Sequence, residues 1–454
     1  MNTASRNASL DMTHGNITKH LLQFAFPLLI GNIFQQLYNT VDTVIVGNFV
    51  GKEALAAVGS TGPIINMLIA LFNGLAVGAT ILISQYFGAH DKEKVHITVQ
   101  TTMTLTFWIS VVLSVIGVLL VPVLLRLMQT PADVFEPAKE YLQIFFAGLS
   151  GLIIYNMAAG ILRAVGDSKR PLYFLILCTL MNTGLDLLFV AVFPWGIAGA
   201  AWATVISQFV SAILVLIVLT FEKSEFGIRW KELKINGLIA KQICKIGLPS
   251  ALQMAITSFS NVFVQSYINR FGSACMAGWS SFAKIDSFAS LPLMSISQAI
   301  TTFVGQNIGA GQLDRAKKGT KVTVILGIIV TVIVIVPIIL FAAPLIKMFN
   351  QETDVIYYGK LFIHFIMPFH IFMTINQCIA GSLRGAGATK ACMFITLGSY
   401  VVFRQIYLFI AYRISPQVVP TMMAYPAGWI LGMILILIYY FSGSWHKNYS
   451  FLTE

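Results

Sequence analysis

Three of the 18 acidic residues lie well inside long apolar stretches of the sequence, namely Asp42, Asp186 and Asp286. Burying a carboxylate in lipid costs at least ~2.5–3.5 kcal/mol on insertion scales, so each marks a candidate functional site. At 1.5 Å per helical residue, Asp42 lies roughly 9 Å and Asp186 roughly 10 Å from the outer ends of their predicted helices. These two carboxylates are therefore expected at one depth.

Two further oxygen-bearing side chains are predicted near that depth. Thr204 lies roughly 12 Å from the same side by helix rise, and Asn182 shares the helix face of Asp186, one turn deeper. Two carboxylates, an amide oxygen and a hydroxyl form the all-oxygen ligand set that a hard cation such as Na⁺ prefers. The same pair suits H⁺, since two carboxyl groups in a low-dielectric cavity cannot both stay ionised cheaply. The alternative is that both carboxyls are neutral, hydrogen-bonded structural groups.

A polar helix face continues from Asp42 towards the N-terminus. Tyr38 and Gln35 precede Asp42 by four and seven residues, and Asn39 lies beside them. We predict that this face lines a cavity and contacts the substrate or supports the ion site, with Asn156 as a further candidate. Ordinary interhelical hydrogen bonds are the alternative.

The composition indicates that the helices carrying these polar groups lie in a membrane. The chain has 454 residues, of which 57% are hydrophobic and 10% charged, with a mean hydropathy of +0.80. A soluble domain carries roughly 25% charged residues, so lipid is the expected solvent. Crossing a bilayer takes ~20 apolar residues per helix. Twelve such stretches lie near residues 20–48, 54–84, 97–122, 138–160, 170–193, 196–221, 243–270, 276–307, 321–345, 355–382, 391–413 and 419–441.

The basic residues indicate how the helices face. The net charge is +11, but the basic residues occur in short clusters between apolar stretches, which argues against a nucleic-acid partner. Twenty lie on one side of the predicted membrane and seven on the other, while Lys284 and Arg404 fall inside spans. The positive-inside rule then predicts both termini and the polar segment 222–242 in the cytoplasm.

The two halves of the chain repeat one another. The segment 163–169 recurs as 384–390, and Gln85 recurs as Gln306 at the same offset along the chain. Pro27 matches Pro249 at an offset that differs by only one position. Such repeats are common in transporters. The sequence therefore predicts an all-α membrane protein of two parallel six-helix lobes, 1–221 and 243–454, joined by a linker hinge at 222–242, with substrate in the cleft between them.

The chain resembles the multidrug and toxic compound extrusion (MATE) transporters over nearly its whole length. The matching residues, in order, are Pro27, Val41-Asp42-Thr43-Val44, Gly47, Gln85, Gly88-Ala89, Arg163-Ala164-Val165-Gly166-Asp167, Asn182, Asp186 and Gly199-Ala200-Ala201-Trp202-Ala203-Thr204. The resemblance implies two six-helix lobes around a V-shaped cleft and export driven by inward flow of H⁺ or Na⁺. It also implies that Asp42, Asn182, Asp186 and Thr204 form the cation site of the N-terminal lobe.

The second half departs from the first at the ion site. At the offset that relates Gln85 to Gln306, Phe403 and Tyr407 stand where Asn182 and Asp186 stand in the first half. Asp286, Lys284 and Arg404 are then either a structural ion-paired cluster or a second substrate or ion site.

The function predicted from these residues is cation-coupled export of amphipathic, mostly cationic drugs by a monomeric, multi-pass protein of the plasma (inner) membrane. We expect no cofactor besides the coupling ion and no enzyme activity. A lipid-linked saccharide flippase is the alternative, although it calls for more intramembrane basic residues than Lys284 and Arg404. A membrane enzyme is disfavoured, because His, Ser and Cys show no nucleophile or metal spacing.

Overall fold

The computed structural model describes residues 10–50, 52–127 and 130–445, and within these ranges the regular structure is entirely helical. The first half contains α1 (Ile17–Phe49), α2 (Lys52–Gly88), α3 (Lys92–Leu127), α4 (Ala132–Ala147), α5 (Leu149–Ala164), α6 (Lys169–Asp186) and α7 (Gly196–Phe221). The second half contains α8 (Gly237–Asn269), α9 (Ser273–Gly309), α10 (Leu313–Leu340), α11 (Ala342–Lys347), α12 (Thr353–Ile366), α13 (His370–Gly385), α14 (Thr389–Leu397), α15 (Arg404–Ile414), α16 (Val418–Met422) and α17 (Ala424–Phe441).

These helices account for all twelve predicted spans. Among the described residues, nine continuous helical stretches are long and apolar enough to cross a bilayer, and the bent pair α4–α5 makes a tenth. The other two spans are α2, part of whose side chains lie outside the described residues, and α8. Polar residues such as Gln253, Asn261 and Gln265 make α8 less apolar than its neighbours. The all-α, twelve-span fold is confirmed.

The internal repeat extends to backbone conformation. His90 and Gly311, which occupy matched positions of the repeat, both have positive φ angles, 55° and 70°. Gly166 and Gly387, a second matched pair, have φ angles of 87° and 81°. The left-handed region is costly for a residue with a Cβ, so its use at matched positions shows that both halves use the same loop geometry.

The chain separates into two compact units by its internal contacts. One comprises 1–11 and 30–245, and the other 12–29 and 246–454. The division falls within α1, shortly after Pro27, and within α8, shortly before Pro249. The lobe boundaries 1–221, 222–242 and 243–454 stay predictions.

The linker 222–242 is anchored to α3 by hydrogen bonds. The Gln100 side chain donates to the Gly227 carbonyl at 2.9 Å and accepts from the Arg229 amide at 3.2 Å. The Asn236 amide donates to Thr101 Oγ1 at 3.2 Å, and His96 Nε2 lies 2.6 Å from Glu232 Oε2. The predicted hinge therefore has fixed attachment points within the first unit.

A buried ion network ties the start of α6 to the end of α7. Arg170 pairs with Asp167 through Nε, and its Nη1 lies 3.2 Å from Glu222 Oε2. Asp167 Oδ1 also accepts the backbone amides of Lys169 and Arg170 at 3.1 Å each, which caps α6. The network fixes the start of α6 and the end of α7, the two helices that carry Asn182, Asp186 and Thr204.

Glu222→Gln should lower the melting temperature at neutral pH. Burial raises the pKa of Glu222, but hydrogen bonds from Ser224 and Arg170 outweigh it, so the net pKa lies below its ordinary value. A lowered carboxyl pKa stabilises the fold above the unfolded value of ~4.3, and the contribution is lost as the pH falls through the folded value. We expect the variant to lose ~1.5–3 kcal/mol of unfolding free energy near pH 7. The difference in stability between the wild type and the variant should narrow below about pH 4. Thermal unfolding across pH measures it. Glu225→Gln leaves the Arg170 network intact and is the control; a gap that is constant with pH would contradict the assignment.

Gly148 allows α7 to approach the joint between α4 and α5, where the helix axis bends by 46°. A Cβ at this position would lie 2.3 and 2.4 Å from the two γ-carbons of Val205, beside Thr204. Val205 is β-branched and stiff, so Gly148→Ala should displace α7 and cost ~1–3 kcal/mol. Gly184→Ala meets nothing within 4 Å and should be neutral or stabilise by ~0.5–1 kcal/mol. Thermal unfolding of the two variants compares them; equal melting temperatures would show that α7 adapts freely.

Candidate ion and substrate site

The four predicted ion-site residues are all buried in the first unit. Asp42 lies on α1, Asn182 and Asp186 on α6, and Thr204 on α7. Asn182 and Asp186 are 0% exposed, Thr204 6% and Asp42 8%. The structure therefore places every one of them in the interior of a membrane-spanning helix, as expected.

Direct and electrostatic contacts connect the three helices. The Tyr38 hydroxyl donates to Thr204 Oγ1 at 3.1 Å, which joins α1 to α7. Asp42 and Asp186 are close enough for their charges to interact. Asp42, Asp186, Tyr38 and Thr204 thus form one polar cluster, to which Asn182 belongs as the residue one turn from Asp186.

Tyr141 of α4 is a sixth member of the cluster that sequence reasoning missed. It is buried, and the charges of both Asp42 and Asp186 act on its hydroxyl. No polar spacing on its own helix marks it. The available signal is a tyrosine within an apolar stretch, since a buried hydroxyl usually has a polar partner.

Most polar atoms of the cluster have no hydrogen-bond partner among the described residues. This holds for Asp42 Oδ1, both carboxylate oxygens of Asp186 and both polar atoms of the Asn182 side chain. An unsatisfied buried polar group costs ~1–3 kcal/mol, and more if charged. Four of these five atoms are oxygens that can accept a hydrogen bond or bind a cation, so the cluster fits a bound Na⁺ or a shared proton.

A π-helical turn, Leu187–Val192, follows Asp186 directly. Such turns interrupt the regular i→i−4 ladder and are frequent at functional sites. The second half also has a π-helical turn, Gly398–Phe403, directly before Arg404, but its positions do not match those of the first turn in the repeat. Neither turn was predicted. Both lie beside an intramembrane charged residue.

The other first-half candidates are more dispersed. Gln35 and Asn39 are exposed on α1, and Tyr38 is half-buried. Asn156 Nδ2 donates to the Leu152 carbonyl of its own helix at 2.9 Å. Its side chain lines a small pocket together with Phe72, Asn73 and Leu113. Substrate contact by Gln35, Tyr38, Asn39 and Asn156 stays a prediction.

In the second half, Asp286 lies against a histidine. Asp286 Oδ1 lies 2.9 Å from His370 Nε2, although the angle is not that of a hydrogen bond. Arg404 Nη2 donates to Ser260 Oγ at 2.9 Å and to Asn261 Oδ1 at 2.8 Å. Among the described ion pairs none joins Asp286 to Arg404, although the charges of both residues act on Tyr425.

Three further second-half residues complete this comparison. The Lys284 ammonium is exposed and lies 5.4 Å from the centroid of Phe349. Phe403 and Tyr407 lie at the positions of Asn182 and Asp186, with ring centroids 6.4 Å apart. The two halves therefore share loop geometry at His90/Gly311 and Gly166/Gly387 but not the oxygen ligand set.

Comparison with known proteins gives concordant matches over most of the chain. The family model described as MatE matches residues 27–188 and 249–410. The probable multidrug resistance protein YpnP of Bacillus subtilis is 31% identical over 87% of this chain and 88% of its own length. Protein YoeA of the same organism, also described as a probable multidrug resistance protein, is 30% identical over 94% of both chains. An outward-facing multidrug resistance MATE family transporter of the MOP superfamily superimposes with a TM-score of 0.90 at 23% identity, over 98% of both chains.

Proposed function

The chain belongs to the MatE family of multidrug and toxic compound extrusion transporters, and from this premise we propose that it exports amphipathic, mostly cationic compounds in exchange for inward-moving H⁺ or Na⁺. The observation that carries the proposal is the buried pair Asp42 and Asp186, whose charges interact. Among the described residues, Asp42 Oδ1 and both carboxylate oxygens of Asp186 have no hydrogen-bond partner. A buried pair of this kind has to be compensated by a cation.

The proposed orientation follows from the charge asymmetry. With 222–242 in the cytoplasm, the ends of α1 and α6 nearest to Asp42 and Asp186 face outwards. Both termini then lie in the cytoplasm. The first nine and last nine residues lie outside the described ranges. The plasma (inner) membrane is the proposed location.

Each residue has a distinct proposed role in ion binding. Asp42 and Asp186 supply the negative charge. Asn182 and Thr204 supply neutral oxygens that would complete the ligand shell of Na⁺ or form hydrogen bonds with a protonated carboxyl group. Tyr38 holds Thr204 in place by its hydrogen bond. The charges of both carboxylates act on the Tyr141 hydroxyl, and we propose that this hydroxyl donates a hydrogen bond to them.

Antiport requires only that ion and substrate favour opposite states of the protein. Before the ion binds, the carboxylates attract a cationic substrate; after it binds, that attraction is largely neutralised. Pro27 lies within α1, where it removes one backbone hydrogen bond and permits bending. We propose α1 as the element that changes conformation when Asp42 is neutralised.

Purified protein in liposomes tests the function and the coupling ion together. A pH gradient and a Na⁺ gradient are imposed separately, while uptake or release of a fluorescent cationic dye is followed. Dye movement driven by either gradient supports the proposal and identifies the ion. If neither gradient drives dye movement, or if the protein converts the dye to a product without any gradient, the proposal is contradicted.

A further inference from the structure

A second set of polar atoms lies in the other unit, outside the ion site described above. Arg404, Tyr400 and Asn376 are 4%, 8% and 2% exposed. Arg404 Nε, the Tyr400 hydroxyl and Asn376 Nδ2 have no hydrogen-bond partner among the described residues. The guanidinium and amide nitrogens are obligatory donors, and a phenolic hydroxyl donates readily.

Gly432 of α17 allows Asn376 and Tyr400 to approach closely, and Gly428, one turn away on the same helix, lies beside Arg404. A Cβ at Gly432 would lie 2.7 Å from Asn376 Nδ2 and 2.8 Å from Tyr400 Cε1, the ring atom next to the carbon that bears the hydroxyl. A Cβ at Gly428 would lie 3.9 Å from the Cβ of Arg404. The charge of Arg404 also acts on Tyr400. The three donors therefore occupy one locality beside α17.

The charge of Arg404 is held by neutral groups. Its Nη2 is shared between Ser260 and Asn261, and its guanidinium carbon lies 4.9 Å from the ring centroid of Tyr425. No described ion pair includes Arg404. Asp286 is near enough to act on Tyr425, but its Oδ1 lies against His370. A buried guanidinium without a carboxylate is costly in a membrane.

We propose that Arg404, Tyr400 and Asn376 form a binding site for one negatively charged acceptor group. Its source is either a free halide such as chloride or the carboxylate of a transported compound. With three unpaired donors in one locality, one of them cationic, a single water molecule is poorly matched, because water would have to accept from all three. An anion accepts from all of them and compensates the charge of Arg404.

Thermal unfolding of the purified protein tests the free-ion source without reference to transport. Chloride replaces gluconate at constant Na⁺ concentration, and the melting temperature of the wild type should rise with chloride and saturate. Tyr400→Phe removes one donor and keeps the ring, so it should raise the half-saturating chloride concentration by about tenfold. Arg404→Gln should abolish the response. Arg413→Gln removes an exposed cation from the same helix and should leave it unchanged.

A transport arm, which rests on the proposed function, tests the carboxylate source. Rhodamine B carries a free carboxylate, and its ethyl ester does not. If a substrate carboxylate binds Arg404, the KM for the acid should be at least about tenfold lower in the wild type than in Arg404→Gln. The KM for the ester should be the same in both proteins. Either the chloride response or the acid preference supports the site. If neither is found while the wild type still transports the ester, the site is wrong and the proposed function stands.

Discussion

Asp42→Asn should reduce gradient-driven dye efflux to the level of protein-free liposomes while the protein stays folded and inserted. The amide has the size of the carboxyl but neither its charge nor its proton equilibrium, so the variant can no longer exchange an ion for a cationic substrate. Asp42 is buried and its charge interacts with that of Asp186. Proteoliposome transport under the effective gradient measures the loss, and size-exclusion profile and melting temperature report the fold.

Two further variants make the result specific. Asp314→Asn removes an exposed acid in the first turn of α10 and should transport as the wild type does. Asp286→Asn should change the substrate range more than the ion dependence, because Phe403 and Tyr407 replace the oxygen ligands in the second half. Ion-coupled transport that is lost in Asp286→Asn but kept in Asp186→Asn would show that the two halves have exchanged roles.

The spans and the repeat could be predicted because they depend on local properties of the sequence. A helix in lipid needs a continuous apolar stretch of known length, and matched loops keep matched residues. The segments 163–169 and 384–390 are recognisable by their residues, and the structure gives Gly166 and Gly387 the same positive φ. Burial of Asp42 and Asp186 could be predicted for the same reason, since both lie mid-stretch.

The remaining features depend on contacts between distant segments. A glycine is needed at the bend because Val205 of α7 occupies the space that a side chain at position 148 would take, which no pattern in α4 or α5 reveals. The π-helical turn after Asp186 shifts the register of the following residues, so a helical wheel counted past that point is out of phase. Tyr141 and His370 each gain their partner from another helix.

The second half shows why a shared fold does not predict shared chemistry. The constant offset of the repeat correctly places Phe403 and Tyr407 in the span that corresponds to α6. It does not predict that Arg404, next in sequence, would bond to Ser260 and Asn261 of α8. Identifying a charged residue as intramembrane is possible from sequence, whereas identifying its partner requires the packing of three helices.

Saturating coupling ion should weaken the binding of a cationic dye to purified protein by ~5–150-fold, which corresponds to a coupling free energy of ~1–3 kcal/mol. The reason is that the ion and the dye are attracted by the same two carboxylates, Asp42 and Asp186, so binding of one removes most of the attraction for the other. Linkage makes the effect reciprocal, and the dye should weaken ion binding by the same factor. Equilibrium fluorescence titrations of the dye, repeated over a range of pH and separately over a range of NaCl, measure the coupling.

The same titration on Asp42→Asn separates shared charge from an indirect conformational effect. The variant should bind the dye more weakly than the wild type does without ion, because one negative charge is gone, and added ion should weaken that binding little further. Asp314→Asn should reproduce the wild-type titration. If Asp42→Asn keeps the full competition, or if neither H⁺ nor Na⁺ weakens dye binding to the wild type, the two carboxylates are not the point at which ion and substrate compete.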